Sequence, residues 1–178
     1  MENIEKIRKV SRRFKMLCTA LLWFTPIALA VFWITFNHLP EDMTARMFPA
    51  YVSRIQPLYV RGLAFLAGLL PAGAIMYALA ALRGLFSLYM RGMIFTGENV
   101  RCFRRIGFAL IWWAGAGFLH TPLSSLIMTL INGPGKHMLT VEISSDEAVN
   151  LLLGAMVLLI SWVMDEGRKL EEEQALTI

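Results

Sequence analysis

Four long apolar stretches dominate the chain and restrict its fold more than any other feature. Each is long enough, or nearly so, to cross a hydrocarbon layer about 30 Å thick as a helix. They contain no Asp, Glu, Lys or Arg except Arg61, near the start of the second stretch. Because they are apolar on every side, they are typical of helices that contact lipid. The stretches comprise residues 16–36, 60–82, 107–131 and 148–164.

The composition of the chain supports the same interpretation. Apolar residues make up 57% and charged residues 17% of the sequence, whereas soluble domains average about 45–50% and about 25%. We therefore predict an all-α fold, an integral membrane four-helix bundle that forms a single domain over residues 1–178. A soluble bundle is disfavoured, because its helices would each carry a polar face.

The positive charges are concentrated on one side of the predicted spans. Lys and Arg in the N-terminal segment, in the segment between spans two and three and in the C-terminal tail total 13, against four on the other side. The positive-inside rule therefore predicts that both termini face the cytoplasm. An even number of spans independently places both termini on one side.

The first span also has features of a cleavable signal peptide. Basic residues precede an apolar run that contains Ala28-Leu29-Ala30, which resembles a cleavage site. The apolar run, however, continues to Phe36, whereas a signal-peptide core is typically about 7–15 residues long. We therefore interpret residues 16–36 as a span that is retained.

Several segments on the cytoplasmic side are predicted to extend the spans as helices. Residues 1–15 carry apolar and basic residues on opposite faces, which predicts an amphipathic helix on the membrane surface; the alternative is a charge cluster that only sets the topology. Residues 85–89 and 165–175 are expected to continue helices two and four. Between helices two and three, Gly92 is expected to end one helix and Thr96 to cap the next.

Three arginines follow in the predicted third helix. Arg101, Arg104 and Arg105 are spaced i, i+3 and i+4, so they share one helical face. Because this face lies just below the membrane, we predict that it contacts lipid headgroups. A specific ligand site is the alternative.

Small residues recur in the second span. Ala64, Gly68 and Ala72 are spaced four apart, and this spacing allows two helices to approach closely in lipid. We interpret the pattern as packing within the bundle, with homodimerisation as the alternative.

His120 lies near the middle of the third span, beside Pro122. An ionisable side chain at this depth is a candidate for a proton relay or a ligand contact. The structural alternative is a neutral histidine bonded to a carbonyl that Pro122 frees. Ser124 and Ser125 lie on the same helix and no acidic residue lies in any span, so a catalytic triad is not predicted.

The sequence carries few other residues with distinctive chemistry. Cys18 and Cys102 fall at the cytoplasmic ends of their helices, where we expect free thiols. No metal-ligand spacing and no phosphate-binding loop occur, so we expect no metal, no cofactor and no enzymatic activity. The basic residues do not form a duplex-sized patch, and direct nucleic-acid binding is not expected.

Two polar motifs on the predicted cytoplasmic face point to a family. They read Arg91-Gly92-x-x-Phe95-Thr96-x-x-Asn99, followed by Arg104-Arg105-Ile106-Gly107, and Glu166-Gly167-x-x-Leu170-x-x-Glu173-Gln174-x-Leu176-Thr177-Ile178. With four spans and this length, the chain resembles the bacterial family called domain of unknown function 2975. The resemblance implies a small four-span protein of the bacterial inner membrane with no assigned activity, often encoded beside a small soluble helix-turn-helix regulator.

The two motifs suggest a role for the cytoplasmic face. Lipid-facing positions need only be apolar, whereas these segments carry specific polar residues. We hypothesise a regulatory or interaction protein that docks a soluble partner there, such as that regulator; the alternative is a loop cap and hydrogen-bonded clasp that fixes the bundle. The residues assigned to docking or clasp are Gly92, Phe95, Thr96, Asn99, Glu173 and Gln174.

A second class of function also stays open. The proline-containing spans around His120 are compatible with a small transporter, a channel subunit or a sensor of a lipophilic ligand. The sequence has no internal repeat that would favour transport, and it fixes neither a ligand nor an oligomeric state.

Overall fold

In the residues that it describes, the computed structural model consists of four long helices. It describes residues 2–40, 43, 55–132, 139–141 and 145–176, and the last two residues of the C-terminal motif, Thr177 and Ile178, lie outside this part of the chain. A short 3₁₀ helix, Phe36–His38, follows the first helix. The helices are α1 (Glu2–Thr35), α2 (Leu58–Met90), α3 (Gly97–Met128) and α4 (Ser145–Leu176).

Each helix covers all or nearly all of one predicted span and is long and apolar enough to cross a membrane. This confirms the all-helical fold with four helices of membrane-spanning length. The third span differs slightly, because α3 ends at Met128 and the chain then turns, with the Thr129 N–H donating to the Ser125 carbonyl over 3.2 Å. The predicted helical extensions are also present, since α1, α2 and α4 each continue beyond their spans without a break.

The helices are longer than a membrane requires. At 1.5 Å per residue each is about 50 Å long, whereas the hydrocarbon layer is about 30 Å thick. The excess lies mainly at one end, which carries both terminal extensions and the connection between α2 and α3. We call this the basic end, because residues 2–15, 83–106 and 165–176 contain most of the Lys and Arg.

The helices pack in the order in which they follow one another in the chain. Extensive contacts join α1 to α2, α2 to α3 and α3 to α4. Large apolar side chains elsewhere on the helices are exposed, as Trp23 (66%) and Phe24 (63%) illustrate on α1. Such exposure suits helices surrounded by lipid, because the lipid covers what a soluble protein would have to bury.

Arg61, the one charged residue within the apolar stretches, joins α1 to α2. Its Nη1 donates to the carbonyl oxygens of Trp33 and Ile34 at 3.3 and 2.9 Å. These carbonyls belong to the last turn of α1, where side chains commonly supply hydrogen bonds to the backbone. Beside them, the Asn37 side chain bonds both the N–H and the carbonyl of Gln56, each over 3.0 Å. Arg61 therefore satisfies a helix end and fixes the α1–α2 connection.

Small residues form the closest helix contacts. Ala64, Gly68 and Ala72 are buried within α2, and a Cβ on Gly68 would lie 3.1 Å from Leu29 of α1. The spacing in the second span thus serves packing inside the bundle, as interpreted from the sequence. A still closer approach joins α3 to α4, where a Cβ on Gly154 would lie 3.0 Å from the Gly107 carbonyl oxygen.

We expect Gly154→Val to lower the free energy of unfolding by about 1–3 kcal/mol, because the added atoms would press on the α3 backbone. Gly115→Ala is the matched control, since no atom lies within 4 Å of the new Cβ. Thermal unfolding in detergent would measure both variants. Equal melting temperatures for the two variants would contradict the close α3–α4 contact.

Candidate functional site

The connection between α2 and α3 begins with a glycine of positive φ and two backbone hydrogen bonds. Gly92 has a φ of +79°, a conformation that favours glycine. The N–H groups of Gly92 and Met93 donate to the carbonyls of Tyr89 and Leu88 over 3.0 and 3.1 Å, which is the pattern of a Schellman motif. Gly92 therefore ends α2, as the sequence predicted.

Asn99 holds the rest of the connection together. Its side chain is fully buried, and its Nδ2 donates to the carbonyl oxygens of Met93, at 2.9 Å, and Ile94. Thr96 occupies the predicted N-cap position, but its hydroxyl makes no capping hydrogen bond; it lies 3.4 Å from Asn99 Oδ1 instead. Asn99 is thus an internal clasp of the loop that precedes it.

A cleft separates this connection from the C-terminal part of α4. Its volume is about 200 Å³. Phe95, at its rim, is 75% exposed, and Arg168 is close enough to α3 that a Cβ on Gly97 would lie 3.8 Å from its Nε. The lining residues are Phe95, Thr96, Val100, Met164, Gly167, Arg168 and Glu171. The cleft therefore brings the two sequence motifs together, and we call it the α3–α4 cleft.

The residues assigned from the sequence occupy different positions around this cleft. Phe95 and Thr96 line it, while Asn99 is buried outside the lining. Gly92 lies beside α1, because a Cβ there would be 3.5 Å from Arg8 Nη2. Glu173 and Gln174 are exposed on α4 and are not among the lining residues.

Sequence reasoning missed most of the α4 side of the cleft. Gly167 belongs to the C-terminal motif and could have been identified from it. Arg168 forms ion pairs along α4 with Asp165 at 3.3 Å and Glu172 at 2.5 Å, and both Arg168 and Asp165 are partly buried. Glu171 and Met164 carry no signal in the sequence that distinguishes them from their neighbours.

The N-terminal part of α1 also packs against the basic end. Phe14 stacks on Phe86 of α2 with ring centroids 5.2 Å apart. Lys15 Nζ donates to Ser87 Oγ over 3.2 Å, and Ser11 is buried. The predicted amphipathic extension of α1 therefore contacts α2 in addition to presenting exposed basic residues.

The three arginines assigned to lipid headgroups differ in exposure. Arg101 and Arg105 are exposed, whereas Arg104 is partly buried, and its Nε is buried without a hydrogen-bond partner. The prediction of headgroup contact therefore applies most directly to Arg101 and Arg105, because these two side chains are exposed on α3.

His120 is paired within its own helix. Its Nε2 lies 3.0 Å from Ser124 Oγ, one turn further along α3. The helix continues through Pro122 to Met128, and the Ser125 hydroxyl donates to the Pro122 carbonyl over 2.9 Å. The structural alternative for His120 expected a hydrogen bond to a carbonyl that Pro122 frees. In the structure, the partner of the His120 ring is the Ser124 hydroxyl.

The cysteines and the possible metal ligands can be located among the described residues. Cys18 and Cys102 are both free and buried, as expected for the thiols. Within the described ranges, no group of three or more His, Cys, Asp or Glu side chains is arranged to hold a metal ion.

We expect Asn99→Ala to reduce the free energy of unfolding by about 1–3 kcal/mol, because it leaves two carbonyls of a buried clasp without their donor. Thr96→Ala should change it by less than about 0.5 kcal/mol, since the Thr96 hydroxyl makes no capping bond. Chemical unfolding in detergent and hydrogen exchange of residues 93–97 would measure both. Equal effects would refute the assignment of the clasp to Asn99.

Comparisons with known proteins identify a family. Neither a search of curated proteins nor a search of solved structures gave a match. A family model described as a protein of unknown function (DUF2975) matches residues 25–178. This match covers most of the chain, including both motifs and the α3–α4 cleft, but of α1 it includes only residues 25–35. The chain therefore belongs to the DUF2975 family.

Proposed function

We propose that this chain is a regulatory or interaction protein of the bacterial inner membrane, whose basic end faces the cytoplasm and docks a soluble partner. The proposed docking site is the α3–α4 cleft. The proposal includes no catalytic activity of the chain itself. The orientation rests on the distribution of Lys and Arg, and the docking site rests on Phe95.

The exposure of Phe95 is the observation that carries the proposal. Gly97, where α3 begins, precedes the predicted third span by ten residues, or about 15 Å of helix. The headgroup region on each side of a bilayer is about 5–8 Å thick. Phe95 is therefore expected to project beyond the lipid, where water would surround a ring that is 75% exposed.

A partner would gain free energy by covering this ring. Burial of a Phe side chain contributes about 1.5–3 kcal/mol, and aromatic residues beside a pocket are common centres of protein interfaces. The cleft beside Phe95 holds about 200 Å³, which suits one or two side chains of a partner. Val100 and Met164 supply apolar walls, and Arg168 and Glu171 supply charges of both signs.

The proposed partner is a small soluble protein that presents an apolar side chain flanked by polar groups. A helix-turn-helix regulator, which the family resemblance suggests, has this chemistry on a helix surface. Docking would hold such a regulator at the membrane and away from DNA. The chain would then act on transcription without binding nucleic acid itself.

Site-specific photocrosslinking in cells would test the docking site. A benzophenone amino acid at position 95 should crosslink to one soluble protein, and Gly167→Leu should abolish the product by filling the cleft. No atom lies within 4 Å of a Cβ at Gly167, so the substitution is expected to fold.

Two controls make this experiment decisive. The same crosslinker at Phe108, which is 53% exposed within the predicted third span, should give no soluble product. Gly115→Leu also enters open space and should leave the product from position 95 unchanged. A product from position 95 that survives Gly167→Leu, or no product at all in cells that express the partner, would refute docking in this cleft.

A sensor of a lipophilic ligand is the second candidate, and one observation favours it. An apolar cleft of about 470 Å³ lies between α1 and α2 at the end opposite the basic end. Trp33, Ile34 and Phe65 supply apolar surface to it. Arg61 and His38 also line it. His120 is not among its lining residues, so this alternative would use the α1–α2 end rather than the middle of α3.

A further inference from the structure

A third cleft lies at the basic end, between α1 and α2. Its volume is about 280 Å³, and polar surface predominates within it. The lining residues are Lys15, Ala80, Arg83, Gly84 and Ser87. Two helices therefore contribute two cationic side chains and one hydroxyl to a single concave surface, which we call the α1–α2 cleft.

The Lys15 ammonium group in this cleft is held by a hydrogen bond, and neither α1 nor α2 places an acidic residue near it. Lys15 Nζ donates to Ser87 Oγ over 3.2 Å, which keeps the ammonium group at the cleft. Helix α2 contains no Asp or Glu, and the nearest acidic residue on α1 is Glu5. Ten residues of helix separate Glu5 from Lys15, or about 15 Å. The positive potential in the cleft is therefore not neutralised by its own helices.

Space for a ligand comes from the small side chain of Ala80, which lines the cleft. Gly84 lines it one turn further along α2, where a Cβ would lie 3.5 Å from Cys102 Sγ of α3 and so would point away from the cleft. Arg83 is exposed, and its guanidinium can donate to an anion in a bidentate manner. The Ser87 hydroxyl supplies a further donor or acceptor.

The depth of the cleft matches one class of ligand. Lys15 immediately precedes the predicted first span and Arg83 immediately follows the second. Both side chains therefore lie where a helix passes from hydrocarbon to the headgroup region. Basic pockets between membrane helices at this level bind phospholipid headgroups, and Lys and Arg reach the phosphate layer while their stems remain in apolar surroundings.

We propose that the α1–α2 cleft binds the phosphate of an anionic phospholipid, with Arg83, Lys15 and Ser87 as the contacting groups. This site differs from Arg101 and Arg105, which project from a single helix. It is independent of partner docking at the α3–α4 cleft. Because the cleft joins two helices, the bound lipid bridges α1 and α2 at the basic end.

Native mass spectrometry of the full chain in detergent, titrated with dioleoyl phosphatidylglycerol, tests the site. We expect Arg83→Gln to weaken binding on the order of tenfold, and Ala80→Leu to weaken it similarly by filling the cleft without changing the charge. Both positions are exposed, so folding should be retained, and the melting temperature checks this. Arg13→Gln is the matched control, because Arg13 is exposed on α1 and does not line the cleft.

The outcomes separate specific binding from general attraction. Loss of phosphatidylglycerol binding in Arg83→Gln and Ala80→Leu, but not in Arg13→Gln, supports the site. Equal losses in Arg83→Gln and Arg13→Gln would mean that net charge alone attracts the lipid and would overturn it. Phosphatidylcholine that binds as tightly as phosphatidylglycerol, or millimolar inorganic phosphate that displaces the lipid completely, would overturn the assignment to an anionic phospholipid.

Discussion

The rest of the structure depends on one constraint, the need of every backbone N–H and C=O group for a partner where water is absent. Continuous helices meet that need within each span. Side chains in such helices gain little from burial against one another, because lipid is equally apolar. Close contact therefore requires small residues, and Gly107 and Gly154 supply it between α3 and α4. Arg61 meets the same need at the end of α1, where its side chain donates hydrogen bonds to two backbone carbonyls.

Helix length then determines where polar chemistry can accumulate. Helices of about 50 Å exceed the hydrocarbon thickness by roughly 20 Å, and most of this excess lies at the basic end. Helix that extends beyond a hydrocarbon layer has access to water, so loops and charged side chains are tolerated in such a region. The connection from Gly92 to Thr96, the α3–α4 cleft and the α1–α2 cleft all lie at this end. Partner docking and phospholipid binding are consequently both proposed at the same end of the molecule.

The sequence predicted the elements of this fold better than their contacts. Span positions, the helix stop at Gly92 and the helical extensions follow from hydropathy and from local backbone preferences, which act within a few residues. Contacts such as the Gly107–Gly154 approach depend on how α3 and α4 rotate against each other, and hydropathy does not specify rotation. Glu173 and Gln174 share a motif with Gly167 but do not line the cleft. Gln174 is seven residues from Gly167 and so lies on the same face of α4, but two turns further along the helix.

The buried clasp and the exposed ring are parts of one arrangement. Asn99 holds the carbonyls of Met93 and Ile94, and these residues lie immediately before Phe95. The backbone on one side of the ring is thus fixed by hydrogen bonds, and α3 begins directly on the other side. An aromatic anchor that is held in place before binding loses less conformational entropy when a partner covers it. A structural role for Asn99 and a docking role for Phe95 therefore support each other, although the sequence had suggested them as alternatives.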